Sequence, residues 1–287
     1  VEVKEYERGI VIKDAQDFEL QHVFECGQCF RWNRYKNGYI GVVSKKAVFV
    51  YKEENDVYIE GAKEEEQEFW RKYFDIDRDY GKIKKELSKD KILAEAIKYG
   101  HGIRILKQEP FETLISFIIS ANNRIPMIKR AVDNISKKFG QKIAFNNMEF
   151  YSFPTVEELS LASEKDLKEC GVGFRAFYIL EAVKKIIDEN INLDDIQKLD
   201  TENAYKKLLE FKGVGPKVAD CILLFSMQKF DAFPVDVWVK RIMQKFYLAP
   251  DVSLLKIREF GKNKFGSLAG FAQQYLFYYA RETSNSI

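Results

Sequence analysis

Lys217 and Asp236 are the residues of this 287-residue chain whose types and settings best suit covalent chemistry. Lys217 follows Gly213-Val214-Gly215-Pro216, and Pro216 has the fixed φ and missing amide hydrogen that suit a first helical position. An amine in that first turn opposes the positive end of the helix dipole, which favours its neutral, nucleophilic form. Asp236 follows the extended Phe233-Pro234-Val235 and opens an apolar-periodic run, as an N-capping residue does. A carboxylate held by cap bonds stays ionised and can stabilise positive charge developing on a sugar. Cys221 lies four residues after Lys217 and shares its helix face. Each residue also has a plainer reading: an exposed lysine, an ordinary N-cap, a core cysteine and a tight helix-helix turn.

The elements around these residues decide which reading holds. Two amphipathic segments flank Gly213-Val214-Gly215, and glycine at both positions allows positive φ and close approach of another backbone. The amides of such a hairpin, aimed outward at a helix N-terminus, can bind phosphate without side-chain charge. Upstream, to about residue 60, short apolar and polar steps alternate as in an antiparallel sheet. Near Glu64 the period becomes helical and stays so, with starts marked by Pro110, Pro126, Pro154 and Pro216 and by capping patterns at Thr155 and Ser163. A division near residue 100 follows: 1–100 as an antiparallel sheet domain with flanking helices, and 101–287 as a helical region.

Composition narrows the classes. Lys and Arg number 46 against 44 Asp and Glu, a formal charge of +2, so nucleic-acid binding needs local donors rather than overall charge. The cysteines Cys26, Cys29, Cys170 and Cys221 do not form a secreted disulfide framework. Neither His22 nor His101 completes a zinc set with Cys26 and Cys29, so no metal is expected. No apolar stretch approaches a membrane span and no cationic-then-apolar leader opens the sequence. The expected location is intracellular, in cytoplasm or nucleoid for a prokaryote.

Leu209-Glu210-Phe211-Lys212-Gly213-Val214-Gly215-Pro216-Lys217, followed by Pro234-Val235-Asp236, resembles the signature of helix-hairpin-helix base-excision DNA glycosylases. No cysteine follows Cys221, so the iron-sulfur cluster of the endonuclease III relatives is not expected. Three further segments resemble 8-oxoguanine DNA glycosylase: Cys26-Gly27-Gln28-Cys29-Phe30-Arg31-Trp32, the run from Gly102 to Asn123, and Ala269 to Phe277. Together they span almost the whole chain.

The resemblance implies an α+β fold, with an N-terminal antiparallel sheet like that of the TATA-binding protein before an all-helical helix-hairpin-helix region. It implies a monomeric glycosylase and abasic-site lyase acting on double-stranded DNA containing 8-oxoguanine. In that scheme Lys217 attacks the sugar C1′ and Asp236 stabilises the sugar cation. The Gly27 carbonyl accepts the N7 hydrogen that 8-oxoguanine has and guanine lacks. Gln273 reads the Watson–Crick edge, while Phe277 and Cys221 sandwich the base. Asn122 fills the vacated space, Phe174 wedges beside it and Arg175 contacts the orphaned base.

The hairpin Gly213, Val214 and Gly215 would hold phosphate. No cofactor is required, and a cation at the hairpin would be structural. Met127 stands where related animal-type enzymes carry arginine, Phe174 where tyrosine is usual, and Trp238 where histidine is usual. Relaxed preference for the base opposite the lesion is therefore expected. Gly27 and Gln273 argue against an alkylated-purine glycosylase, and Lys217 with Asp236 against a non-catalytic DNA-binding protein.

Overall fold

The computed structural model describes residues 1–283. Six strands form one antiparallel sheet: β1 (Val3–Tyr6), β2 (Gly9–Ile12), β3 (Trp32–Tyr35), β4 (Gly38–Val43), β5 (Lys46–Glu53) and β6 (Asp56–Glu60). Their order across the sheet is β1-β2-β6-β5-β4-β3. Strand alternation places Val48 and Val50 of β5 on one face, against Ile10, Ile12, Val57 and Ile59. The helices Leu20–Glu25 and Gln67–Tyr73 cover that face with Val23, Phe24 and Trp70. A run buried on one face alone would alternate, yet Ala47 to Tyr51 is buried throughout.

The opposite face is buried too, and the cover comes from the helical region. Strands β7 (Lys142–Phe145) and β8 (Met148–Tyr151) pair as a hairpin whose Phe145, Met148 and Phe150 pack on Ile40, Phe49 and Tyr51. The region expected to be wholly helical thus contains one short β-hairpin, which serves the sheet rather than the helical core.

The helical core is also wider than the residue-100 division. Tyr80, Ile83, Leu87, Leu93, Ala96 and Ile97 lie in it, and the helix Lys91–Tyr99 packs on the last described helix, Ala269–Glu282. Conversely, Leu106 lies in the core of the sheet. Buried Arg104 fastens this crossing, donating from Nε to the Phe74 carbonyl at 3.1 Å and from Nη2 to the Asp75 and Ile76 carbonyls at 2.9 and 3.1 Å. No described helix is long and apolar enough to cross a membrane.

Candidate active site

Lys217 lies in the first turn of the helix Pro216–Phe225, which begins with proline and is buried along Val218 to Phe225. That helix is anchored from behind by Asp220, whose two carboxylate oxygens accept from Arg258 Nε at 2.6 Å and Nη2 at 2.9 Å. The Arg258 guanidinium also stacks over Tyr205, 3.9 Å from the ring centroid. Burial pushes the Asp220 carboxyl up and the Arg258 contact opposes that shift. The pair leaves Lys217 projecting from a helix that cannot easily roll. Its Nζ donates to Ser120 Oγ at 3.1 Å and lies 5.1 Å from the centre of the Phe117 ring.

Asp236 caps the helix Val237–Phe246, accepting from the amides of Trp238 and Val239 at 3.0 and 2.9 Å. The cap expected from sequence is present, but it does not dominate the charge state. Burial pushes the Asp236 carboxyl above its ordinary range, against the opposing pull of the cap bonds and of Lys217. Burial likewise pushes the Cys221 thiol up to about 12, so it faces the site as an uncharged, polarisable surface.

A cavity of about 460 Å³ brings together Gly27, Lys217, Cys221, Asp236, Gln273 and Phe277. Gln273 is only 4% exposed, and its buried Oε1 has no hydrogen-bond partner among the described residues. A buried amide oxygen without a donor costs free energy unless a ligand supplies one.

Gly27 sits in a turn set by neighbours that the sequence reading did not single out. Gln274 donates from Nε2 to the Cys26 carbonyl at 2.6 Å. Fully buried Gln28 spends its amide on the Val23 and Arg104 carbonyls and on the Leu106 N–H, all within 2.8 to 2.9 Å. Their signals lay in adjacency, since each borders a predicted site residue. Ser120, within the segment ending at Asn123, is a third such group.

Gly27 has φ +78, and a Cβ there would lie 2.9 Å from Phe277 Cε1. Gly27→Ala therefore strains the turn and displaces the ring. The expected result is a lower urea midpoint, from about 1–2 kcal/mol of left-handed strain. An unaltered midpoint would contradict a Phe277 ring placed against this turn.

Cys26 and Cys29 are unpaired and buried, with their thiols directed to the Val23 and Phe24 carbonyls at 3.3 and 3.7 Å. Burial pushes both thiols up, Cys26 to about 11. They pack the end of the Leu20–Glu25 helix beside the glycine.

The two hairpin glycines differ. Gly213 has φ +85, and a Cβ there would meet Tyr178 at 2.7 Å, so both its conformation and its space require glycine. Gly215 has φ −95 and open space where a Cβ would stand, so of the two freedoms glycine allows it leaves room for close approach and does not use positive φ. Val214 is buried and anchors the turn. No side chain caps the helix that follows, and its first amides remain available to an anion. Asn122, Gly213 and Gly215 border a second hollow of about 450 Å³, which shares Lys217 with the first.

Asn122 is exposed at φ +49 in the loop after the helix Pro110–Ser120, a conformation asparagine tolerates. Arg175 was expected to face an orphaned base, but here it is buried and holds that loop. Its Nε donates to the Ala121 carbonyl at 2.8 Å, and Nη2 donates to the Ala121 and Asn122 carbonyls at 2.5 and 2.9 Å. Three carbonyls, counting Val172 at 3.2 Å from Nη1, solvate the guanidinium in place of water. Phe174, 59% exposed, is stacked on it at 4.5 Å. Met127 is 46% exposed in the first turn of the helix Ile125–Phe139.

A glycine hairpin opening the helix of a buried-edge amine, with a capping carboxylate across a cavity, defines the class of helix-hairpin-helix base-excision glycosylases. Family models agree: residues 10–114 match the 8-oxoguanine DNA glycosylase N-terminal domain, and residues 115–265 the HhH-GPD superfamily of base excision DNA repair proteins. The chain belongs to the 8-oxoguanine DNA glycosylase family within that superfamily.

The N-glycosylase/DNA lyase of Saccharomyces cerevisiae is 33% identical to it, over 95% of this chain and 86% of that protein. A probable N-glycosylase/DNA lyase of Methanothermobacter thermautotrophicus is 37% identical, over 68% of each. The Clostridium acetobutylicum 8-oxoguanine glycosylase/lyase, solved with double-stranded DNA containing cytosine opposite 8-oxoguanine, superposes with a TM-score of 0.97 at 53% identity, covering 99% of both chains.

Proposed function

We propose that this protein is a bifunctional DNA glycosylase and abasic-site lyase that excises 8-oxoguanine from duplex DNA. The observation that carries this reading is the unpartnered buried Gln273 Oε1 in the same cavity as the Lys217 amine and the Asp236 carboxylate. That oxygen matches the N–H groups on the Watson–Crick edge of a guanine-type base. Phe277 and Cys221 offer a face on either side of a flat ring, and the Gly27 carbonyl distinguishes 8-oxoguanine from guanine by its N7 hydrogen. Family membership and the similarity to 8-oxoguanine glycosylase/lyases support the same substrate.

The shared cavity of Lys217 and Asp236 supports a lysine-centred route. The Lys217 nitrogen, attacking through its lone pair, forms a bond to C1′ and sheds a proton to solvent, while the C1′–N9 bond breaks and its electron pair leaves with the base. Asp236 stabilises the positive charge that develops on the sugar. Opening of the sugar ring leaves a Schiff base between Lys217 and C1′. Loss of a C2′ proton then expels the 3′-phosphate and nicks the strand. None of these steps calls for a metal or an organic cofactor.

The first-turn amides after Gly215 grip a backbone phosphate, Asn122 fills the space left by the extruded base and Phe174 wedges beside it. Met127 has no hydrogen-bond donor, so the opposite base is read weakly. Single-turnover excision from duplexes with 8-oxoguanine opposite each of the four bases should give rates within about tenfold of one another. Met127→Arg should add a cytosine preference of about tenfold or more, since one bidentate contact is worth about 1–3 kcal/mol. Strict dependence of the wild type on cytosine would overturn this reading of Met127, and no release of 8-oxoguanine from any duplex would overturn the function.

A further inference from the structure

Arg281 ends the row of side chains that lines the base cavity, and part of its guanidinium is uncommitted. Nε donates to Glu282 Oε1 at 2.8 Å and Nη2 donates to the Glu25 carbonyl. Nη1 is buried and has no partner among the described residues. The side chain as a whole is only 16% exposed, so solvent does not readily serve that nitrogen. Two N–H groups on a cationic nitrogen are therefore withheld from both protein and water, at a site that lines the cavity.

The position of Nη1 is well defined. It lies 3.4 Å from where a Cβ on Gly27 would stand, and the guanidinium carbon is 5.3 Å from the centre of the Phe277 ring. Gln273, Phe277 and Arg281 follow one another at four-residue steps and share one face of the helix Ala269–Glu282. At 1.5 Å per residue, Gln273 and Arg281 stand about 12 Å apart with Phe277 midway. A purine stacked on Phe277 with its Watson–Crick edge toward Gln273 turns its imidazole edge toward Gly27 and Arg281. On that edge of 8-oxoguanine, N7–H and the C8 carbonyl oxygen are adjacent.

We propose that Arg281 is a further base-recognition residue, donating from Nη1 to O8 of the extruded 8-oxoguanine beside the Gly27 carbonyl that accepts from N7. This rests on the function proposed above and extends it. Gly27 tests for a hydrogen and Arg281 tests for the oxygen next to it, so the two defining features of the lesion are read together. The contact also serves the reaction. When the C1′–N9 bond breaks, the electron pair that passes to N9 is shared with O8 through C8, and a cationic donor there stabilises the departing base until solvent protonates it.

The test is single-turnover excision by wild type, Arg281→Leu and Arg281→Lys from duplexes carrying 8-oxoguanine or 8-thioguanine opposite cytosine. Both bases keep N7–H, but sulfur at C8 accepts hydrogen bonds poorly. Arg281→Leu should slow excision of 8-oxoguanine by about 10- to 100-fold and that of 8-thioguanine by less than about threefold, because charged hydrogen bonds are the stronger ones. Arg281→Lys should recover part of the 8-oxoguanine rate.

Equal loss on both lesions would overturn the proposal and leave Arg281 as a tie to Glu25; no loss on either would overturn it as well. Thermal midpoints of the variants separate misfolding from lost contact, and Arg281→Gln carries the comparison if Arg281→Leu does not fold. A wild type that leaves 8-oxoguanine in place would instead count against the proposed function.

Discussion

Lys217→Gln should abolish the covalent adduct that borohydride traps between the wild-type protein and 8-oxoguanine DNA. Glutamine has no amine to attack C1′, so neither the Schiff base nor the strand nick can form. Base release should fall by about a thousandfold or more, equivalent to roughly 4 kcal/mol of lost transition-state stabilisation. Duplex binding should persist, because the phosphate contact is assigned to backbone amides after Gly215 and not to this side chain.

The fold should tolerate the change, since Lys217 is partly exposed and Ser120 Oγ, at 3.1 Å, is the one oxygen its Nζ donates to among the described residues. Electrophoresis of trapped complexes and a binding titration on the same duplex would decide the matter. A persistent adduct would locate the nucleophile elsewhere.

Asp236→Asn separates charge from capping. Asparagine caps helices about as well as aspartate, so the amides of Trp238 and Val239 keep their acceptor. What disappears is the negative charge facing the sugar, and single-turnover excision should fall by about 10²- to 10³-fold.

The pH behaviour follows from the sign of the Asp236 shift. Its carboxyl is held above the ordinary aspartate range by burial, so wild-type activity should decline on acidification at a pH above that range. The folded state then binds this proton more tightly than the unfolded chain. This group's contribution to stability is therefore least favourable when it is ionised near neutrality, and improves as pH falls through its folded pKa. Asp236→Asn should lack the acid limb and should melt no lower than wild type at pH 7. A large fall in melting temperature would mean that the carboxylate is mainly structural.

Much of the site was legible in the sequence because its members carry chemistry in their types. Lys217 and Asp236 stand at helix starts, which capping patterns expose, whereas Gln273 and Phe277 came from the family resemblance, their four-residue spacing only agreeing with it. What escaped depends on partners far away in the chain. Gln274 and Gln28 are amides of no local distinction until they meet the Cys26 carbonyl and the 104–106 backbone. Arg175, expected as a base contact, also donates to the carbonyls of Ala121 and Asn122 just after the Pro110–Ser120 helix, a tie no local pattern marks.

The β7–β8 hairpin had a usable signal in Asn146-Asn147. Both residues take positive φ, 50 and 59, in a two-residue turn of the kind asparagine favours, but surrounding helical patterns masked it. The packing of Tyr80 to Ile97 with the helical core had no such mark, since an amphipathic helix does not announce which partner it will cover.

The link from Gln274 to the Cys26 carbonyl joins residues 248 positions apart, and Arg281 reaches across 256 to Glu25. During synthesis the sheet, the hairpin and the Lys217 amine all emerge before the segment that completes the base pocket. The turn at Gly27 therefore stays without these two ties until the helix Ala269–Glu282 has been made. The cavity wall is thus joined late, by two contacts that each close nearly the whole described chain into one loop, and the helix that makes them also fills the helical core, so cavity and core are completed in the same event.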